Sequence, residues 1–349
     1  MPEGRFQKTD AAPGRILILQ TAFLGDVILS TPFIRAVRRV FPEAAADILV
    51  IPENKPLFRA DPDVNGVLTF DKRRRMFKWL AFCRLVLIIR RTGYGLAFSL
   101  QRSVTSSLIM AMGGIPGRVG LSGQRLLTRT VKPEKGLHMR DRYLALLRPF
   151  TAEAFDRDTA LHWTDAEEKT ADGLAGNGDD GARKVGIAPG AKWATKRWPM
   201  EYYIELIKNL VSSGAEIFLV GGREDRSRCD AIIRGSGAAA VNACGRLSIL
   251  ESAALIHRLD LLVSNDSAPL HIADAVGTPV FAIFGPTVRR FGCFPYRGHD
   301  RLFEIDLECR PCSKHGGRRC PRGHFRCMRD IPPERVLRAV LGFIGGEKH

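Results

Sequence analysis

The sequence predicts an α/β protein made of two Rossmann-like domains. Three observations carry this prediction. Short apolar runs bounded by turn residues alternate with stretches of helical periodicity, which is the pattern of a doubly wound parallel sheet. That pattern runs from Arg15 to about residue 163, breaks over a glycine- and acid-rich stretch, and restarts at Lys184. The chain has 349 residues, enough for two domains of about 100–200 residues each.

In the first half, Arg15–Gln20 (Arg-Ile-Leu-Ile-Leu-Gln) reads as a buried parallel strand because it is continuously apolar and partly β-branched. Residues 25–40 place Val27, Ile28, Ile34, Val37 and Val40 at helical spacing. Ala46–Ile51 and Val67–Phe70 read as strands, Met76–Ile89 as a helix with a basic face, Leu96–Leu100 as a strand and Val104–Met112 as a helix. His138–Leu147 reads as a helix carrying His138, Arg140 and Arg142. Residues 164–183 hold four glycines, several acids and few large apolar side chains, so they read as a helix and loop joining two domains. In the second half, strands are expected at Lys184–Ala188, Glu216–Val220, Asp260–Ser264 and Pro279–Phe284. Helices are expected at Met200–Ser212, Asp225–Ile233, Leu250–His257, Pro269–Val276 and Pro332–Ile344. The expected divisions are a polar tail (1–14), a first domain (15–163), the linker (164–183), a second domain (184–330) and a terminal helix (331–349).

Composition excludes several classes. The chain is 45% hydrophobic, 8% aromatic and 26% charged, which is unlike a disordered, collagenous or disulfide-dense chain. No apolar run reaches the ~18 residues of a spanning helix; the nearest, Trp79–Ile89, is interrupted by Arg84. Met1–Gly14 lacks the apolar core of a signal peptide. A cytosolic address is therefore expected, where eight cysteines serve as thiols or metal ligands rather than disulfides.

The net charge of +16 is unevenly placed, with +12 in residues 1–163 and +4 in residues 164–349. From Lys72 to Lys132 there are 13 basic residues and no acidic one. This fits a solvated face, or a docking face for nucleic acid, an anionic leaflet or a phosphorylated glycolipid.

Ligands of open parallel sheets collect at the carboxyl ends of strands, where helix N-termini offer free N–H groups to anions. Three joints of this kind stand out. Thr21-Ala-Phe-Leu-Gly25-Asp26 puts a flexible glycine and a carboxylate after the first strand, although by position alone Asp26 fits better as a first-turn residue satisfying amides. Ala188-Pro-Gly-Ala-Lys-Trp-Ala-Thr-Lys196-Arg-Trp-Pro199 gathers cations after a strand, as a phosphate clamp or as a basic surface loop. Ser264-Asn-Asp-Ser-Ala-Pro-Leu-His271 offers the amides of Ser267, Ala268 and Leu270 to a diphosphate, or simply caps a helix. Neither a dinucleotide fingerprint nor a Walker loop is present.

In order along the chain, Leu24-Gly-Asp-Val27 with Thr31-Pro32, Pro189-Gly-Ala191, Lys196-Arg-Trp-Pro199, Asn265-Asp-Ser267 with His271, and Phe284-Gly-Pro286 resemble glycosyltransferase family 9, the ADP-heptose:lipopolysaccharide heptosyltransferases. The resemblance runs from about Arg15 to Val340. The cysteine-bearing tail looks most like the heptosyltransferase II branch. The resemblance implies a GT-B type glycosyltransferase with two Rossmann-like domains facing a cleft and the terminal helix packing back on the first domain. It implies an inverting transfer, with no cofactor required for catalysis, from ADP-heptose bound on the second domain to a Kdo-lipid A type acceptor on the first. Carried over by motif, Asp26 would be the general base and Lys196 would neutralise the leaving ADP. Gly25, Asp266, Ser267, Ala268 and His271 would surround the donor, and Glu224 would reach the ribose. Arg118, Arg125, Arg129, His138, Arg140 and Arg142 are candidates for the anionic acceptor. Where relatives often carry Tyr-Asp-Leu-x-x-Asp, this chain has Tyr94-Gly-Leu-Ala-Phe-Ser99 and lacks both acids. The expected station is the cytoplasmic side of the inner membrane, peripheral on its anionic surface.

Cys309-Arg-Pro-Cys312, with Cys320 and Cys327 beyond, offers four thiolates for a structural zinc. The second pair is spaced by six residues and not two, so reduced packing thiols or an occasional disulfide remain as alternatives. Cys83, Cys229, Cys244 and Cys293 read as core or incidental residues. The rival functions are a family 9 transferase with another sugar or acceptor, and a non-catalytic binder of anionic lipid or RNA. No RNP-like aromatic pattern supports nucleic acid as a partner.

Overall fold

The computed structural model describes residues 13–71, 78–132, 134, 136–176 and 181–346. Most of the expected polar tail, the start of the expected helix at Met76, and residues 177–180 of the expected linker lie outside them. The chain forms two compact units, Met1–His162 and Trp163–His349.

The first unit is a parallel sheet of six strands in the order β3-β2-β1-β4-β5-β6. The strands are β1 (Arg15–Leu19), β2 (Ala45–Val50), β3 (Gly66–Thr69), β4 (Leu96–Ser99), β5 (Gly117–Leu121) and β6 (Arg129–Val131). The last two escape a reading of apolar runs because they are short and contain Gly117, Gly120, Arg118 and Arg129. The single helix expected over residues 25–40 is two: α1 (Leu24–Ile28) and α2 (Thr31–Val40). Ser30 Oγ donates to the Val27 carbonyl at 2.6 Å and Thr31 Oγ1 to that of Ile28 at 2.9 Å. Such back-bonds compete with the helical ladder, and Pro32 then has no N–H to continue it. Helices α3 (Lys78–Thr92) and α4 (Val104–Met112) share one core with the sheet. Phe82, Val86 and Ile89 of α3 meet Ile109 and Met110 of α4 over Leu17, Leu19 and Ala97. Helix α5 (Met139–Leu144) packs on α2.

The second unit repeats the plan with strand order β12-β11-β10-β7-β8-β9, all parallel. Its elements are α6 (Asp165–Ala175), β7 (Lys184–Ala188), α7 (Met200–Ser212), β8 (Glu216–Leu219), α8 (Arg226–Ser236), β9 (Ala240–Asn242) and α9 (Ile249–His257). They continue with β10 (Leu261–Asn265), α10 (Ala268–Val276), β11 (Val280–Ile283), β12 (Arg301–Phe303), α11 (Arg326–Arg329) and α12 (Pro333–Ile344). Helix α6 opens on a capping box between Thr164 and Glu167 and packs on α9. Helix α12 packs on α7, and Val336 and Val340 are fully buried in the second unit's core. Cys229 and Cys244 are buried in the same core with sulfurs 2.8 Å apart.

Trp198 is the largest fully buried side chain. Its indole N–H donates to the Ile331 carbonyl at 2.9 Å, and Tyr203 meets its ring edge-on at 4.9 Å. It therefore ties the loop after β7 to the entry of α12. Replacing Trp198 with Ala should cost about 3–5 kcal/mol and lower the urea midpoint accordingly. A change under about 1 kcal/mol would contradict the packing role assigned here.

Candidate active site

In the second unit the chain runs from β7 outward through β8 and β9, then returns to β10 on the other side of β7 and continues to β11 and β12. The carboxyl ends of β7 and β10 therefore flank the topological switch point, where open sheets bind ligands. Asn265, the last residue of β10, is completely buried there. Its Oδ1 accepts from the Trp198 amide at 3.1 Å and the Tyr203 hydroxyl at 3.0 Å. Its Nδ2 donates to the carbonyls of Pro189 at 3.0 Å and Gly190 at 3.3 Å. One side chain thus holds both ends of the loop 189–199. Burial drives the Tyr203 phenol well above its ordinary range, so it stays a neutral donor.

That loop delivers Lys196. Its Nζ lies 2.6 Å from Oδ2 of Asp266, and the Thr287 hydroxyl donates to the same oxygen at 2.6 Å. Both members of the ion pair are largely buried, at 14% and 10% side-chain exposure. The lysine is aimed by its partner instead of searching solvent. Ser267 precedes α10 in extended conformation and gives it no side-chain cap. Pro269 has no N–H to offer, and the helix dipole favours an anion at this end. His271 and Asp274 lie buried on the same helix.

Glu224 stands exposed on a single turn, Arg223–Asp225, after β8. Its neighbour Asp225 turns inward. The Gly222 amide donates to Asp225 Oδ2 at 3.1 Å. A Cβ on Gly190 would fall 2.2 Å from the Asp225 carboxyl carbon and Oδ1. Only glycine at 190 lets the two loops close. Burial raises the Asp225 carboxyl above its usual range.

The segment after β12 folds onto the lysine loop. The Thr195 amide donates to the Gly317 carbonyl at 3.1 Å, and the Gly317 amide donates to Thr195 Oγ1 at 2.7 Å. Gly316, at φ +93°, sits so close that a Cβ there would meet Trp193 Cβ at 2.9 Å and Lys196 Cγ at 3.2 Å. This brings His315 into the field of the site. Burial, then Lys314 and Lys196, hold its imidazole below the ordinary range. Cys309, Cys312, Cys320 and Cys327 lie on this segment. Cys309 Sγ is 3.8 Å from Nε2 of His324, and burial followed by the charges of Cys312 and Cys320 pushes the Cys327 thiol up to about 11. Four thiols have the right chemistry for zinc. Among the described residues, however, no group of three or more His, Cys, Asp or Glu side chains is arranged to hold a metal ion.

In the first unit Asp26 lies half-buried on α1, just beyond β1. Its backbone carbonyl accepts from Gln20 Nε2 at 3.2 Å, and Gln101 Nε2 donates in turn to Gln20 Oε1 at 2.5 Å. Asn54 Nδ2 holds the Ala22 carbonyl at 3.1 Å. These amides fix the turn of Gly25 and Asp26. Composition and motif do not mark Gln20, Asn54 and Gln101; Gln20 and Gln101 stand just past β1 and β4, and Asn54 lies in the helical turn Pro52–Phe58 after β2.

The six acceptor candidates lie on β5, on β6, in the loop between them and at α5. Arg118 lies near the amino end of β5, opposite in strand direction to the Asp26 turn, and donates to the carbonyls of Leu126 at 2.7 Å and Ile115 at 2.6 Å. Arg129 opens β6 with its guanidinium over Phe150. Arg140 donates to the Arg157 carbonyl at 3.1 Å, and Arg142 to that of Leu137 at 2.9 Å. His138 is buried at the start of α5. Arg125 is exposed in the loop between β5 and β6. Arg118, Arg140 and Arg142 thus brace loops of their own unit.

A lysine, a carboxylate and uncapped helix amides gathered at a switch point suit the departure of a phosphate leaving group. With a second Rossmann-like unit in the same chain, this is the GT-B class of glycosyltransferase. The sequence narrows the class. Residues 82–320 match the model of glycosyltransferase family 9 (heptosyltransferase), and the chain belongs to that family. It is 26% identical over 348 residues to lipopolysaccharide heptosyltransferase 2 of Escherichia coli K12, covering 93% of this chain and 96% of that protein. It is also 26% identical over 280 residues to an Escherichia coli lipopolysaccharide heptosyltransferase 3, covering 76% and 82%. The solved structure of Escherichia coli ADP-heptose lps heptosyltransferase II superposes with a TM-score of 0.78 at 23% identity over 96% of this chain and 100% of that one.

Asn265→Ala would strand the Trp198 amide, the Tyr203 hydroxyl and the Pro189 carbonyl. It should cost about 2–4 kcal/mol in urea unfolding, whereas Tyr203→Phe, which removes one bond, should cost about 1 kcal/mol. Equal losses for the two variants would contradict the hub.

Proposed function

We propose that this glycosyltransferase moves a heptose from ADP-heptose onto the single heptose of a Kdo-lipid A type inner core. The observation that carries the reading is the Lys196–Asp266–Thr287 cluster beside the α10 amides, in a family 9 chain whose relatives include a lipopolysaccharide heptosyltransferase 2.

The reaction is read as a single inverting displacement. The acceptor hydroxyl oxygen bonds to the anomeric carbon while the bond from that carbon to the diphosphate oxygen breaks. The hydroxyl proton passes to the Asp26 carboxylate, and the electron pair leaves on ADP. Lys196 and the first-turn amides of α10 balance the charge gathering on that diphosphate. Asp266 keeps the lysine oriented, Ser267, Ala268 and His271 lie along the donor, and Glu224 is assigned the ribose. Gly25 lets the backbone beside Asp26 approach the sugar. One carboxylate is enough, so the paired acids of a glycoside hydrolase are not required. The donor is water-soluble and the acceptor lipid-anchored, so the enzyme is assigned to the cytoplasmic surface of the inner membrane, bound peripherally. No helix among the described residues is long and apolar enough to cross a membrane.

The similarity to a heptosyltransferase 3 favours one second reading, transfer to an acceptor that already carries two heptoses. Assay of the purified protein with ADP-heptose and cores bearing one or two heptoses decides between them. Transfer to the one-heptose core is expected, and no transfer to either overturns the reading.

Asp26→Ala should lower kcat by about 10²–10⁴ with the fold intact by circular dichroism. Undiminished transfer would remove Asp26 as the base. Lys196→Ala should weaken ADP binding in calorimetry by about tenfold or more, since a charge-assisted contact contributes about 1.5–3 kcal/mol. Unchanged ADP affinity would remove the lysine from the diphosphate.

A further inference from the structure

The exposed apolar side chains of the molecule are not scattered. Among the described residues, seven of the ten large hydrophobics that stand exposed belong to two neighbouring helices, α3 and α4. Helix α3 buries Phe82, Leu85, Val86 and Ile89 against the sheet, a spacing that accounts for its inward face. Its outward half is apolar as well: Trp79 is 68% exposed, Leu80 63%, Leu87 53% and Ile88 40%. Exposed Arg84, Arg90 and Arg91 interleave with them. On α4, Val104 (77%), Leu108 (37%) and Met112 (41%) follow at intervals of four and form one outward stripe. Both helices lie on the same side of the sheet, because Phe82, Ile89, Ile109 and Met110 share one core. Their outward stripes therefore form one surface.

Single exposed leucines need no explanation, but a contiguous apolar surface rimmed by one sign of charge marks an interaction site. Charge selects the occupant. The surface lies within the stretch from Lys72 to Lys132, which contains 13 basic residues and no acidic one. A protein partner or second copy would have to meet that charge with an acidic face, and the molecule as a whole is basic, at +16. A bilayer with anionic headgroups satisfies both halves of the pattern. Its acyl boundary takes the tryptophan and leucines, and its phosphates take the arginines. Nucleic acid would use the arginines and leave the aliphatic side chains in water.

We propose that the outer faces of α3 and α4 form the membrane-docking surface of this protein, inserting Trp79, Leu80 and Leu87 shallowly into an anionic leaflet while Arg84 and Arg91 engage headgroup phosphates. The proposal rests on the membrane-surface part of the function above, and it names the residues and the lipid charge. Trp79 stacks on Phe82 at 5.7 Å, so its ring is held at the start of the helix and anchored to the core beneath.

The test is flotation of the full-length protein with vesicles of phosphatidylcholine and phosphatidylglycerol in equal parts, against pure phosphatidylcholine, at low salt. Binding to the anionic vesicles alone is expected, with a blue shift in fluorescence that Trp79→Phe abolishes. Trp79→Ala with Leu80→Ser and Leu87→Ser should reduce partitioning at least tenfold. Arg84→Gln with Arg91→Gln should reduce it about thirtyfold, at about fivefold per charge near the surface. All five positions are exposed, so the circular dichroism should match wild type. These vesicles carry no acceptor sugar. Transfer to a deacylated, water-soluble acceptor should persist in the apolar variant, so failure of docking and failure of the enzymatic reading are separate results. The proposal is overturned if wild type ignores anionic vesicles, or if the apolar variant binds them as wild type does. It is also overturned if a short single-stranded RNA strips wild type from the vesicles and binds the apolar variant equally well, which would make the face a nucleic-acid surface.

Discussion

The arrangement of the second unit depends on the four hydrogen bonds of Asn265. A buried amide that uses every donor and acceptor it has is costly to misplace, because each broken bond leaves a desolvated group behind. Asn265 ends β10, and its partners lie at the two ends of the loop after β7. The loop that carries Lys196 is therefore closed on itself and clamped to the strand that leads into α10. Trp198 fastens the same loop to Ile331, before α12. The lysine stands on a backbone with little freedom although it belongs to no strand and only to a single helical turn.

From that frame the electrostatics follow. Asp266 is the next residue after Asn265, so a register set for packing also sets the carboxylate that orients Lys196. Thr287 adds a hydroxyl from the loop after β11, and the Gly316–Gly317 backbone closes on Thr195 from the segment after β12. Four separate stretches of chain thus converge on one cation. A preoriented charge needs little reorganisation when negative charge develops on a leaving group. The cysteine-bearing segment contributes through this contact: it carries the glycines that reach the lysine loop, and it brings His315 into the same field.

The first unit has a different division of labour. Its strand ends carry neutral amides, Gln20 and Gln101, that shape the Asp26 turn without adding charge. Several of its arginines hold carbonyls of their own loops. Exposed Arg84, Arg90 and Arg91 lie among the exposed hydrophobics of α3, away from the core that α3 and α4 share.

Periodicity along the sequence determines the two parallel sheets, since buried strands must be apolar and their crossover helices must alternate with them. It also determines the three loops at strand ends, because the loops that carry Gly25-Asp26, Lys196 and Asp266 each begin where a strand ends. The short strands β5, β6, β9 and β12, the last three at sheet edges, are not legible this way. At three to five residues, or rich in glycine and arginine, they owe their structure to a neighbour's unpaired backbone and not to their own side chains. The same limit applies to the site. The family resemblance marks Glu224 as the acid after β8, and the tertiary structure shows its neighbour Asp225 turned inward against Gly190. Arg118, Arg140 and Arg142 look alike in the sequence, and the fold shows which carbonyl of its own unit each one also meets. Residue type sets what a side chain can bond, and only close packing decides which partner it meets.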